Sequence, residues 1–220
     1  MALKLRQIAR AMPRMLVLEP YDLTATLQIF DGVAEFWPVE RWFDRLIADL
    51  DPAEIAHLEA LTFSRIDLDT LRGLPHGSYG RALAAFIDGD QLDPEYFLNL
   101  YPPARQAFAD HWVMYRYAKV HDMLHVILGV SIWMPQEMGL QVFQFTNFGE
   151  PFALGTLAAW PAVVWKFGHP GRTVKEMLHQ GRVGRTLPNL LFFPHEERWE
   201  QPLVDLRREL GVPAAGIGPA

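Results

Sequence analysis

The sequence predicts an all-α fold, a single-domain multi-helix bundle. Helix-start and helix-stop signals recur along the chain, while Val, Ile and Thr rarely alternate at period two, so no sheet is expected. Half of the 220 residues are hydrophobic and 21% are charged, which suits a folded chain with one sizeable core. No internal repeat or low-complexity linker divides it.

The elements follow in order. The first eighteen residues carry Lys4, Arg6, Arg10 and Arg14 with no acid. Arg6, Arg10 and Arg14 stand at helical spacing, with Leu5, Ile8, Met12, Met15 and Leu16 as apolar surface. Such a stripe suits anionic lipid or an ordinary first helix with a solvated face. Asp22 caps a helix toward Gly32, and Pro38 opens another. Asp51-Pro52-Ala53-Glu54 combines an N-cap, a proline at the first helical position and an acid at the third. A helix follows from Ser78 to Ile87, ended by Asp88-Gly89, and Asp93-Pro94-Glu95 starts a short one. A long helix runs from Pro102 or Pro103 to about Leu128 and stops at Gly129. Pro135 begins the next, with Glu137 in its first turn. Further helices are expected over 152–167, 172–186 and 195–210, with Pro188 and Pro194 bounding a loop. The domain is read as 1–210, with 211–220 as a flexible tail.

Composition removes several functions. A net charge of −6 lacks the basic footprint of a general nucleic-acid binder. With no cysteine there is no disulfide, iron–sulfur cluster, thiolate zinc site or cysteine nucleophile. No segment reaches the ~18 apolar residues of a spanning helix. Phe152–Trp165 comes nearest, is interrupted by Pro161, and reads as a buried helix or one that touches a membrane surface.

The chemistry concentrates at Lys119-Val-His-Asp-Met-Leu-His-Val-Ile-Leu-Gly129, followed by Glu137. His121 and His125, four apart, share one helix face, and Asp122 can lean toward the second histidine. Met114, Ala118, His121, His125 and Leu128 form one stripe, so the imidazoles point where apolar neighbours point. Glu137, in the first turn of the next helix, can close the set across the connection. Two imidazoles and a carboxylate on an inward face are costly to bury without a compensating ion. The set suits a first-row divalent cation such as zinc, iron, manganese or cobalt. Histidines at this spacing also occur as hydrogen-bonded core residues. Tyr117 and Arg116 could orient a ligand or hold an anionic head group, or simply pack. His57, His76, His111, His169, His179 and His195 have no matching spacing and receive no chemistry. Glu196–Glu200 reads as a solvated helix start with an ion pair to Arg198.

The motif His121-Asp122-x-x-His125, eleven residues, then Glu137 resembles the signature of the ubiquinone (coenzyme Q) biosynthesis protein four family. Leu74-Pro75-His-Gly77-Ser-Tyr-Gly80 is similar to an upstream family segment, and Glu196-Glu197-Arg198-Trp199-Glu200 with Leu203-x-x-Leu206-Arg207 to its C-terminal stretch. Gln136 and Gln141 depart from the family's usual Gly and Lys. The resemblance implies a helical fold and one divalent metal on His121, Asp122, His125 and Glu137. It implies a role in ubiquinone formation: metal-dependent C1 decarboxylation and hydroxylation of a polyprenylated 4-hydroxybenzoate-type head group. The alternative is a non-catalytic isoprenoid-lipid-binding scaffold for a quinone-biosynthesis complex. Partners implied are the prenylated aromatic lipid, other quinone-biosynthesis proteins and a membrane surface, with homo-oligomers compatible and nucleic acid not expected. The location implied is peripheral, on the cytoplasmic face of a bacterial inner membrane or the matrix side of the mitochondrial one. Trp112, Leu124, Leu128, Trp133, Phe143, Phe145 and 152–165 are candidates to line a trench for the tail. The His-Asp dipeptide also suggests a metal-dependent phosphohydrolase, but that class further needs an upstream histidine and a distal aspartate, and the extended family resemblance counts against it. A di-iron bundle lacks paired Glu-x-x-His elements.

Overall fold

The Asp51 carboxylate accepts the Glu54 N–H at 2.8 Å and Pro52 takes the first helical position, so the helix starts where its capping residues dictate. The computed structural model describes residues 39–94, 112–149 and 160–213. Within them the chain is helical, with one isolated bridge between Ser78 and Pro202 and no strand. The helices are α1 Val39–Ile47, α2 Pro52–Phe63, α3 Leu68–Gly73, α4 Tyr79–Gly89, α5 Trp112–Leu128, α6 Met134–Phe148, α7 Trp160–Phe167 and α8 Pro170–Gly184. A 3-10 turn at His195–Arg198 precedes α9, Leu203–Leu210. The all-α expectation holds. The basic N-terminal stripe, the helix from Asp22, the short helix expected beyond Pro94, the start of the long helix, residues 152–159 and residues 214–220 lie outside the described residues.

α5 is the central rod, and α2, α4 and α9 pack on it. Thirteen of its 17 residues are buried, which is the pattern of a core helix rather than a surface one. Its C-terminus is closed twice. Gly129 adopts φ 68°, and the Val130 N–H reaches back to the His125 carbonyl at 3.0 Å. Arg207 on α9 then donates to the carbonyls of Ile127 at 2.9 Å and Val126 at 2.7 Å. α6 and α8 run side by side in the same direction. A Cβ at Gly184 would meet Thr146 Oγ1 at 2.2 Å and the Phe143 carbonyl at 2.9 Å, so glycine there permits the close approach.

The Leu74–Gly80 segment and the C-terminal stretch meet each other. Gly77 turns the chain at φ 82°, and Ser78 caps α4 by accepting the Arg81 N–H. The N–H groups of Tyr79 and Gly80 reach the carbonyls of Gln201 and Trp199 at 2.8 and 2.9 Å, and Leu203 N–H returns to the Gly77 carbonyl at 2.8 Å. That junction overturns one expectation: 195–210 is not a continuous helix. Pro202 lacks an N–H and disfavours helical backbone at Gln201, and the strand-like bridge to Ser78 takes the residues between. α3 was not anticipated, although Asp67 caps it through the N–H groups of Asp69 and Thr70; six residues are too few for a periodic signal.

Glu196 corrects the expectation of a solvated cluster. Its side chain is 7% exposed and pairs with Arg116 and Lys119, at 3.1 Å to the latter, while Arg198 pairs with Glu209 instead. Arg116 is fully buried. Its guanidinium also donates to the carbonyls of Leu191 and Phe193. A buried cation on a helix with thirteen of 17 residues buried needs such partners. Arg116 therefore packs; it does not reach a ligand.

His195 is buried with both ring nitrogens engaged. Nε2 faces the Leu190 carbonyl at 2.9 Å, which can only accept, so Nδ1 accepts from the Tyr79 hydroxyl at 3.0 Å. Burial, with Arg116 beside it, pushes its pKa from the usual 6.5 down to about 3. The folded ring stays neutral where the unfolded one takes a proton. It costs nothing above about pH 6.5 and destabilises the fold progressively as pH falls from there toward about 3. Urea unfolding at pH 4.5 should show roughly 2–3 kcal/mol less stability from this ring than at pH 7. His195→Gln should flatten the dependence; parallel profiles for both proteins would contradict this account.

Candidate metal centre

His121 and His125 leave the last two turns of α5 on one face, with ring centroids 5.0 Å apart and planes at 81°. Glu137 enters from the first turn of α6, where the helix dipole favours a carboxylate. His125 Nε2 lies 3.0 Å from Glu137 Oε1, and His121 Nε2 lies 3.7 Å from Glu137 Oε2. One ligand atom from each of the three falls within 4.8 Å of the others. Sequence spacing thus brought three of its four expected ligands together. Asp122 stands outside that group, though its charge acts on both imidazoles.

The surroundings orient these groups. His125 is 1% exposed, stacks on Phe86 at 5.0 Å, and faces the Val130 carbonyl with Nδ1 at 3.1 Å. The helix-terminating turn therefore also aims the ring. On the connection, Gln136 Oε1 accepts from the Ser131 N–H at 2.9 Å and its hydroxyl at 2.6 Å. Gln136 thus braces the loop before Glu137. His121 and Glu137 keep 19% and 18% side-chain exposure, so the cluster is closed at His125 and open on the other side.

Charge is balanced within the cluster. Burial raises the Glu137 carboxyl, but the charges of both histidines and the His125 hydrogen bond outweigh it and hold its pKa below the usual range. Burial pushes His125 down, yet Glu137, Asp122 and the Val130 carbonyl together lift it above its usual value. His121 is pushed down, chiefly by burial. Asp122 is pushed up, also chiefly by burial.

The donor set fits a divalent cation. Two imidazole nitrogens and an ionised carboxylate converge, and each histidine has its other nitrogen held by a second group. The residues missed by sequence reasoning are these holders. Gln144, fully buried on α6, places Nε2 at 3.2 Å from His121 Nδ1. Its signal was present: it stands seven residues after Glu137, two turns along the same face. Of the suggested trench residues, Trp112, Leu124, Leu128 and Phe143 belong to the core, whereas Trp133 is half-buried and Phe145 exposed.

Residues 55–215 match the family described as coenzyme Q (ubiquinone) biosynthesis protein Coq4. The chain belongs to the Coq4 family. It is similar to the mitochondrial ubiquinone biosynthesis protein COQ4 homologue of Bos taurus, 31% identical over 175 residues, covering 77% of this chain and 63% of that protein. The Homo sapiens homologue is 32% identical over 178 residues, covering 78% and 64%. The chain thus spans less than two thirds of these Coq4 relatives. A crystal structure of a Nostoc punctiforme protein ascribed to ubiquinone biosynthesis shares the fold, with a TM-score of 0.73 at 19% identity, over 95% of this chain and 98% of that one.

Proposed function

We propose that the protein acts in ubiquinone biosynthesis, holding one divalent cation on His121, His125 and Glu137 with Asp122 as the adjacent carboxylate. The reaction is oxidative removal of the C1 carboxylate from a polyprenylated 4-hydroxybenzoate-type head group. The convergence of three ligand atoms within 4.8 Å at a half-open position supports this reading above all others. The cation would supply Lewis acidity toward a carboxylate or phenolate oxygen. Glu137 and His125 hold that position rigid, and the exposed side of His121 admits the ring. The C1–carboxylate bond breaks and a C1–oxygen bond forms, with dioxygen as oxidant, a two-electron reductant, and water and carbon dioxide as further products. Cells lacking this chain should accumulate a carboxylated prenyl intermediate, and His121→Ala should fail to clear it. Full clearance by His121→Ala would refute the mechanism. Bound prenyl lipid without turnover under any metal would favour a scaffold instead.

The partner surface we infer is an anionic membrane, met peripherally. No described helix is long and apolar enough to cross a bilayer. α8 turns an outward arc carrying Val174 and Leu178, 40% and 57% exposed, beside exposed Lys175, Arg182 and Arg185. Trp165 on α7 is 76% exposed. From 160 to 185 Lys166, Arg172, Lys175, Arg182 and Arg185 face a single acid, Glu176, in a chain of net charge −6. Apolar side chains among cations match an acidic lipid surface. The protein should bind vesicles containing phosphatidylglycerol and be released by high salt. A Lys175→Glu, Arg182→Glu double variant should bind at least about tenfold more weakly, since each cation near such a surface contributes ~1 kcal/mol. Equal binding by both proteins would count against this face.

A further inference from the structure

His121 and His125 differ in what holds their outer nitrogen. His125 Nδ1 meets a backbone carbonyl, an acceptor only, so that nitrogen carries a proton. His121 Nδ1 meets the side-chain amide of Gln144, which has a donor end and an acceptor end. The amide lies between two residues one turn apart on α5. Its Nε2 faces His121 Nδ1 at 3.2 Å, and its Oε1 accepts from the Tyr117 hydroxyl at 3.4 Å. Gln144 is 0% exposed, and Tyr117 is 9% exposed.

In this arrangement the amide donates to Nδ1, so the neutral ring carries its proton on Nε2, the nitrogen that faces Glu137 Oε2. A protonated Nε2 has no lone pair for a cation. Turning the amide half a revolution reverses this. Oε1 then accepts from Nδ1–H, and Nε2 of the amide donates to the Tyr117 oxygen. A hydroxyl donates or accepts equally well, so the turn keeps both hydrogen bonds. A backbone carbonyl in the same place could hold only one of the two ring forms.

We propose that Gln144 is a positioning residue that sets the tautomer of His121, its amide turned toward Nδ1 with the carbonyl oxygen when a cation occupies the cluster. This rests on the metal reading above. Outer partners of metal-bound histidines commonly govern affinity by 10- to 100-fold. Here the partner is adjustable, and Tyr117 completes the adjustment.

The test uses zinc alone as the probe, with affinity read by chelator competition and tautomers read by nitrogen NMR of the full chain labelled at histidine. Metal-free wild type should show His121 protonated on Nε2, and the zinc-loaded protein should show it protonated on Nδ1. Gln144→Leu, which offers neither donor nor acceptor, should bind zinc about 10- to 100-fold more weakly. Gln144→Glu, which only accepts, should bind at least as tightly as wild type. A packing role would weaken both variants alike, and that result overturns the inference. So does wild-type affinity in Gln144→Leu, or an Nδ1 proton on His121 with and without zinc. If wild type takes up no zinc, nor cobalt in its place, the metal reading fails and this inference falls with it.

Discussion

Exchanging Arg116 for methionine should lower the unfolding free energy by about 3–5 kcal/mol, the usual cost of leaving one partner of a buried ion pair alone. Methionine fills much of the same volume, so the loss is electrostatic rather than a cavity. Glu196 would keep Lys119, but its Oε2 already lacks a hydrogen-bond partner among the described residues and its Oε1 would lose the guanidinium. The Leu191 carbonyl would lose its guanidinium donor as well, and the Phe193 carbonyl would keep only the His195 N–H. Urea unfolding measures the effect directly. Adding Glu196→Gln to the methionine variant should deepen the loss, because Lys119, 3% exposed, would then lose the Glu196 charge it pairs with. A single variant within ~1 kcal/mol of wild type would show that the network contributes little.

The same network marks where sequence reasoning stops. Local chemistry was legible: Asp51-Pro52 and Ser78 capped helices as their types predict, and Pro135 set Glu137 in a first turn. The face shared by His121 and His125 follows from helix geometry alone. Glu196 was misread because its neighbours in sequence are charged, while its neighbours in space come from α5, about eighty residues earlier. Nothing local distinguishes an acid that solvates a helix start from one that neutralises a buried arginine. The one available hint lay on the other partner, since Arg116 stands between apolar turns of α5, beside Val113 and Val120, and a cation there needs a counter-charge.

The break before α9 has a similar cause. Pro202 signals a boundary, but only the pairing of Ser78 with Pro202 explains why the chain extends there. Together the bridge and Arg207 tie two stretches that resemble the family, Leu74–Gly80 and 196–207, to each other and to the end of α5. Those segments serve the centre by fixing the rod that carries both histidines. Gln144 was missed for a different reason: glutamine carries no charge, and its role depends on which nitrogen of His121 it meets.

Removing His125 should erase metal binding more completely than any other single change at the centre. Its Nε2 is 3.0 Å from Glu137, its ring is clamped by Phe86 and the Val130 carbonyl, and it is the least exposed of the three groups. Among the described residues the converging group holds only His121 and Glu137 besides it. A cation that binds only the folded protein stabilises it by about 4 kcal/mol at a thousand times its dissociation constant. Wild type with excess zinc should show that gain as a higher unfolding midpoint, and His125→Ala should show none. The comparison is between the metal-induced shifts, because His125→Ala also takes from the Glu137 carboxylate its nearer partner and destabilises the metal-free protein. Asp122→Asn supplies the contrast. Asp122 lies outside the converging group, so this variant should retain most of the shift, with affinity reduced by less than the ~10- to 100-fold typical of an outer partner. If Asp122→Asn abolished the shift while His125→Ala kept it, the cation would sit elsewhere than between the imidazoles and Glu137.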